Sequence, residues 1–174
     1  MDAQEFLLQH LTEGKSYSDI VKNESNSAML EQLQSWWKTE IKLRTYIKRA
    51  NQLFNARKGK KEFSEFENNG RRYFVEWFLS HEKSCFYCGI EEYKLEVIFG
   101  EKGIQTKRNR GKKLELERKD AKTNQYAPNN CVLACYVCNN HKSDLISEKD
   151  HKRYFADAIY SYLNDIYKEL NDKG

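Results

Sequence analysis

A chain of 174 residues is long enough for one domain, or one domain with a helical extension, and it can bury a real core. Aromatic residues at 13% exclude a disordered composition, and no apolar run approaches the ~20 residues of a membrane-spanning helix. The formal charge of +4 is unevenly placed: residues 1–32 hold six acids against two bases, and the remainder is strongly basic.

In chain order, MDAQEFLLQH has no basic stretch leading into an apolar one, so no secretory leader is expected. A cytoplasmic location, where disulfides are rare, follows as the expectation. Residues 3–13 read as a short amphipathic helix with Phe6, Leu7 and Leu11 on one side, and Ser16 or Ser18 begins a second through Val21. A polar break at 25–27 precedes a long helix expected from Ala28 to Asn55. Residues 38–61 hold nine Lys or Arg and one acid, ending in a run that includes Lys58, Lys60 and Lys61. Another helix is expected around 71–81, carrying Tyr73, Phe74, Trp77 and Phe78. A second basic cluster, Lys107, Arg108, Arg110, Lys112 and Lys113, places five bases in seven positions, as a polyanion binder requires. From Ser147 to about Leu170 the pattern is again helical. Ser147 and Asp150 suit a capping box, and a stripe of Phe155, Ile159, Tyr162, Ile166 and Leu170 is expected to form core or a dimer seam.

All five cysteines lie between 85 and 138, as Cys85-Phe-Tyr-Cys88, Cys131 and Cys135-Tyr-Val-Cys138. Two CxxC pairs separated by 46 residues are the pattern of a tetrahedral four-thiolate zinc site. Four soft ligands leave the ion no open position, so such a site is structural. Cys131 is left over and is expected to be a buried small side chain.

Between the pairs, Leu114–Asp120 alternates as a strand, Asn124–Asn129 has turn composition, and Asn130–Cys135 is a second short strand. A helix then begins at the second cysteine pair. This order brings a strand carboxylate and a helix-start carboxamide towards one point, a hard oxygen site suited to Mg2+.

These residues resemble the HNH (ββα-metal) endonuclease family, in its zinc-bearing four-cysteine subgroup, over residues 85–146. The elements that carry the resemblance are Cys85/Cys88, Glu117-Arg118, Asn130, and Cys135/Cys138-Asn139 with Lys142. The resemblance implies an α+β fold: a ββα-metal core stapled by zinc, flanked by N-terminal helices (1–84) and a long C-terminal helix (147–174). By the same resemblance Glu117 and Asn139 hold a catalytic Mg2+ or Mn2+, and Asn130 pins the loop. Arg118 stands where most of the family has a His general base. Arginine stays protonated, so Arg118 is expected to grip the scissile phosphate while Tyr87 becomes the candidate base and His81 the reserve. Lys142 lies on the same helix face as Asn139 and is expected to touch phosphate.

The function implied is hydrolysis of phosphodiester bonds in double-stranded DNA, most simply as a homodimeric type II restriction endonuclease, because one site per chain must cut two strands. The alternatives are a zinc-knuckle nucleic-acid-binding module without catalysis, and a homing or antiphage toxin nuclease.

Overall fold

The structure, a computed structural model, describes residues 1–21 and 27–172. They divide into two compact units, one up to Ser80 and one from His81 on. Among them no helix is long and apolar enough to cross a membrane. The polar break expected at 25–27 lies mostly outside the described residues.

The first unit is helical. α1 (Ala3–Leu11) starts where the Asp2 carboxylate accepts the Glu5 N–H at 2.8 Å. α2 (Tyr17–Ile20) starts on a capping box between Ser16 and Asp19. The long helix expected over 28–55 is two helices, α3 (Ser27–Thr39) and α4 (Ile41–Arg57), because Glu40, with ψ of 49°, leaves the helical region. Arg44 donates to the Trp37 carbonyl across this break, satisfying an acceptor that the end of α3 leaves open.

A 3-10 turn (Lys61–Phe63) leads into α5 (Ser64–Asn69), and Gly70, with φ of 91°, lets the chain turn into α6 (Arg71–Ser80). Phe54, Phe63, Phe66 and Phe74 pack with ring centroids 4.9–5.8 Å apart and form the core of this unit.

The second unit carries the cysteines. A turn at 85–89 leads to α7 (Glu92–Ile98), a helix that the sequence reading did not include. β1 (Glu115–Arg118) pairs antiparallel with β2 (Cys131–Ala134), so that Glu117 faces Val132 across the ladder. α8 (Tyr136–Lys142) follows β2 directly, completing strand, strand, helix. The C-terminal segment is also two helices, α9 (Glu148–Tyr154) and α10 (Ala156–Asn171), breaking at Phe155. Ser147 caps α9, its hydroxyl accepting the Asp150 N–H at 3.1 Å. The expected apolar stripe is displaced: α10 buries Ala156 and Leu163, whereas Phe155 and Tyr162 are exposed.

The acids of the N-terminal segment turn inward. Arg72 on α6 bonds the carboxylates of Glu5 and Glu13, tying α1 and its C-terminal loop to α6, and also bonds Glu76. The Glu5 carboxyl is held low first by Arg72, and that of Glu13 by Lys15 and then Arg72. A carboxylate whose folded pKa lies below its unfolded value stabilises the fold above the unfolded pKa and loses that contribution as pH falls through the folded one. Arg72→Ala should therefore lower the melting temperature at pH 7, with the gap to wild type narrowing as pH falls below about 4. A gap independent of pH would contradict this role.

Candidate metal and phosphate site

The turn at 85–89 is closed by two backbone bonds, Gly89 N–H to Cys85 O at 2.8 Å and Cys85 N–H to Ile90 O at 2.9 Å. Gly89 takes φ of 78°, a conformation that glycine adopts at no steric cost. Phe86 N–H donates to Leu133 O at 2.9 Å and staples this knuckle to β2. Cys135 is the N-cap of α8, its sulfur accepting the Cys138 N–H at 3.3 Å. Four sulfurs, of Cys85, Cys88, Cys135 and Cys138, come within 4.8 Å of one another.

The Cys88 and Cys135 sulfurs are 3.9 Å apart, close to the edge of roughly 3.8 Å in a tetrahedron with ~2.3 Å zinc–sulfur bonds. The donor set and spacing fit zinc. Without a cation the four thiols cannot ionise together. Hydrogen bonds, first from Cys135, hold Cys85 far below the ordinary thiol range, and the thiols around Cys138, Cys135 first, push that group far above it. A divalent cation would let all four ionise together. Cys131, in β2, is buried and stands outside the cluster.

The candidate site lies on the strand–helix pair β1 and α8. Glu117 on β1 is only 5% exposed. The Tyr87 hydroxyl donates to its Oε2 at 2.7 Å, and the Lys142 ammonium donates to its Oε1 at 3.0 Å and to Arg118 O at 3.1 Å. Burial raises the Glu117 pKa despite these two donors. Asn139 lies one turn before Lys142 on α8, and its Nδ2 donates to Glu115 Oε2 at 2.8 Å, which assigns Oδ1 as the acceptor end. Glu115 is in turn gripped by Arg110 through bonds of 2.9 and 2.5 Å.

Glu117, Arg118 and Asn139 line one cavity of about 270 Å³, with Tyr126 and Asp144 also on its wall. Arg118 is steadied there by the Asn124 carboxamide and by the Tyr126 ring, 4.9 Å from its guanidinium carbon. A carboxylate, an amide oxygen and a guanidinium around one cavity fit a hard cation beside a phosphate, because each Glu117 oxygen keeps a second lone-pair direction beyond the bond it already accepts.

Asn130 holds the loop after β1. Its Oδ1 accepts the Asp120 N–H at 2.9 Å, and its Nδ2 donates to Asp120 O at 3.0 Å and Gln125 O at 2.9 Å.

Several expected roles meet a different geometry. Tyr87 is a donor to Glu117, and burial together with that carboxylate pushes its phenol up, opposite to the phenolate a base would need. Lys142 is not at the surface: it is 1% exposed, because the face of α8 that carries it packs against β1. In the second basic cluster, Arg110 is committed to Glu115, and Lys113 bonds Glu96 and lies 3.8 Å from Glu92. Lys107 and Arg108 are exposed and Lys112 is half-buried. Lys58, Lys60 and Lys61 are exposed in the first unit.

The buried histidine lies outside the motif residues of the sequence. His151 on α9 is fully buried 4.9 Å from the Tyr87 ring, and neither ring nitrogen has a hydrogen-bond partner among the described residues. Burial and then His141 lower its pKa. Its only sequence signal was its place on the inner side of a short helix whose caps flank it.

Removing one metal ligand and removing the spare thiol should have different effects. Cys135→Ser should lose bound zinc and unfold the second unit at ambient temperature, a site of this kind being worth on the order of 10 kcal/mol to folding. Cys131→Ala should keep its zinc. Measured zinc content and melting curves decide, and a folded Cys135→Ser with full zinc would contradict the assignment.

No protein-family model matches the chain, and no curated protein does. Among solved structures, the fold is similar to that of the rare-cutting HNH restriction endonuclease PacI, reported for its mechanism of DNA perturbation. The similarity is at 24% identity over 68% of this chain and 76% of that one, with a TM-score of 0.46.

Proposed function

We propose that this protein is a metal-dependent DNA endonuclease, acting as a homodimeric, sequence-specific type II restriction enzyme with structural zinc and catalytic Mg2+ or Mn2+. The observation that carries the reading is the single cavity shared by Glu117, Asn139 and Arg118 on a hairpin and helix, with a four-cysteine cluster at the start of that helix. Specificity for a palindrome and the dimer follow from economy: one such cavity per chain needs a second chain to cut the second strand.

A divalent cation held by Glu117 and Asn139 would supply Lewis acidity at the scissile phosphate and the leaving 3′ oxygen. The other work belongs to the side chains. Arg118 binds the phosphate through its planar fork and opposes the charge that builds on it. Asn124 and Tyr126 restrict the rotamers of Arg118, so less freedom is lost when the phosphate arrives. Asn130 keeps the loop after β1 from moving. Tyr87 and Lys142 hold the Glu117 carboxylate in one orientation, the Lys142 ammonium offsetting the burial of its charge. Tyr87 is thus a positioning residue.

Plasmid incubated with Mg2+ or Mn2+ should give discrete fragments ending in 5′-phosphate and 3′-hydroxyl. Glu117→Gln should cut slower by on the order of 10²-fold or more. Loss of the single Tyr87 hydrogen bond should cost about tenfold in Tyr87→Phe. The absence of cleavage on any DNA, methylated or not, would leave a binding module instead. A Tyr87→Phe loss as large as that of Glu117→Gln, together with loss of the rise of rate with increasing pH, would restore Tyr87 as the base.

A further inference from the structure

A second, larger hollow of about 1060 Å³ adjoins the Glu117 cavity, and Ala121 and Asp144 line both. One wall is the loop after β1, with Lys119 and Lys122, and the other is α9 with the turn before it, contributing Lys149 and Arg153. These four bases come from two segments about thirty residues apart, and neither belongs to the basic clusters at 38–61 and 107–113.

The acids on the same walls each have a hydrogen-bond or ion-pair partner, and Glu148 alone among them is paired with a base, the others keeping their charge. The Asp120 carboxylate accepts the Lys122 N–H at 2.9 Å, Asp150 bonds the Ser147 hydroxyl at 2.7 Å, and Glu148 pairs with Lys152 at 3.3 Å. Asp144, on the shared wall, accepts from the Ser143 hydroxyl at 3.3 Å. Lys119, Lys122 and Lys149 have no acidic partner within ion-pair distance among the described residues. In the second cluster Arg110 and Lys113 are paired with Glu115 and Glu96, while Lys107, Arg108 and Lys112 have no acidic partner among the described residues but line neither cavity. Paired bases contribute less to a polyanion than unpaired ones lining a concave wall, where the field is focused.

We propose that this cleft is the track for the DNA backbone, with Lys119, Lys122 and Lys149 neutralising phosphates next to the one held at Arg118. The inference deepens the nuclease reading and rests on it for the identity of the polyanion. The partner is DNA because the cleft adjoins the cavity assigned to the scissile phosphate, and separate ammonium groups on its walls suit a repeating chain of single charges. Leu145, 88% exposed in the turn between α8 and α9, also lines this cleft and presents an apolar side chain to the groove or bases of a bound duplex.

The test compares two triple variants of the full chain by binding to a labelled duplex in buffer without added Mg2+, across a salt titration. The cleft variant is Lys119→Ala/Lys122→Ala/Lys149→Ala, and the comparator, which removes the same charge elsewhere, is Lys15→Ala/Lys102→Ala/Lys168→Ala. The cleft variant should bind at least about tenfold more weakly, with its log–log salt slope shallower by up to about 3, while the comparator stays near wild type. Equal losses in the two variants, or none in the cleft variant, would overturn the assignment and leave the nuclease reading standing. Binding that depends on the cleft in a protein that cleaves no DNA would support the track and overturn the nuclease reading. A wild type that binds no duplex at low salt would overturn both. Melting curves matching wild type establish that the variants are folded.

Discussion

Four thiols packed within 4.8 Å of each other impose a constraint that the rest of the second unit obeys. Four thiolates this close repel one another unless a divalent cation lies among them, and such a cation would join two segments 46 residues apart in the chain. Once the sulfurs are joined, the bond from Phe86 to Leu133 aligns the first knuckle along β2, and the Tyr87 ring is carried under β1, where its hydroxyl meets Glu117.

That meeting sets the electrostatics of the proposed site. A carboxylate 5% exposed would take up a proton if it were left alone. Lys142, buried on the facing helix, supplies the opposing charge, and Tyr87 supplies a neutral donor on the other oxygen. Burial of such a pair contributes little net stability, because desolvating two charges offsets most of their attraction. What it gives is orientation: the carboxylate plane is fixed before a cation or phosphate arrives. Asn139 is fixed in the same way by Glu115, itself gripped by Arg110. Three of the residues that look like site chemistry in the sequence thus spend their hydrogen bonds on holding other side chains still.

Sequence pattern made the cysteine cluster, the hairpin and the start of α8 legible, because each depends on spacing along a short stretch. The breaks at Glu40 and Phe155 were not legible, since neither has a proline or glycine to mark it and apolar periodicity continues through both. α7 was missed because seven residues hold only two core positions, Leu95 and Ile98, beside a buried glutamate, and no repeat is long enough to register. The stripe on α10 was rotated for a related reason: Tyr162 is apolar enough to fit the pattern, but Leu163 is the side chain that packs. The Glu117–Lys142 pair and the basic cleft depend on how α8 and α9 rotate against β1 and its loop. No spacing rule within either segment contains that information.

The account stands on a four-sulfur metal centre in the second unit. Zinc-edge X-ray absorption on purified protein, with metal content measured on the same sample, tests it most directly. The account predicts one zinc per chain with four sulfur neighbours at about 2.3 Å. A folded protein without zinc, or a zinc shell containing nitrogen or oxygen in place of any of the four sulfurs, would contradict it.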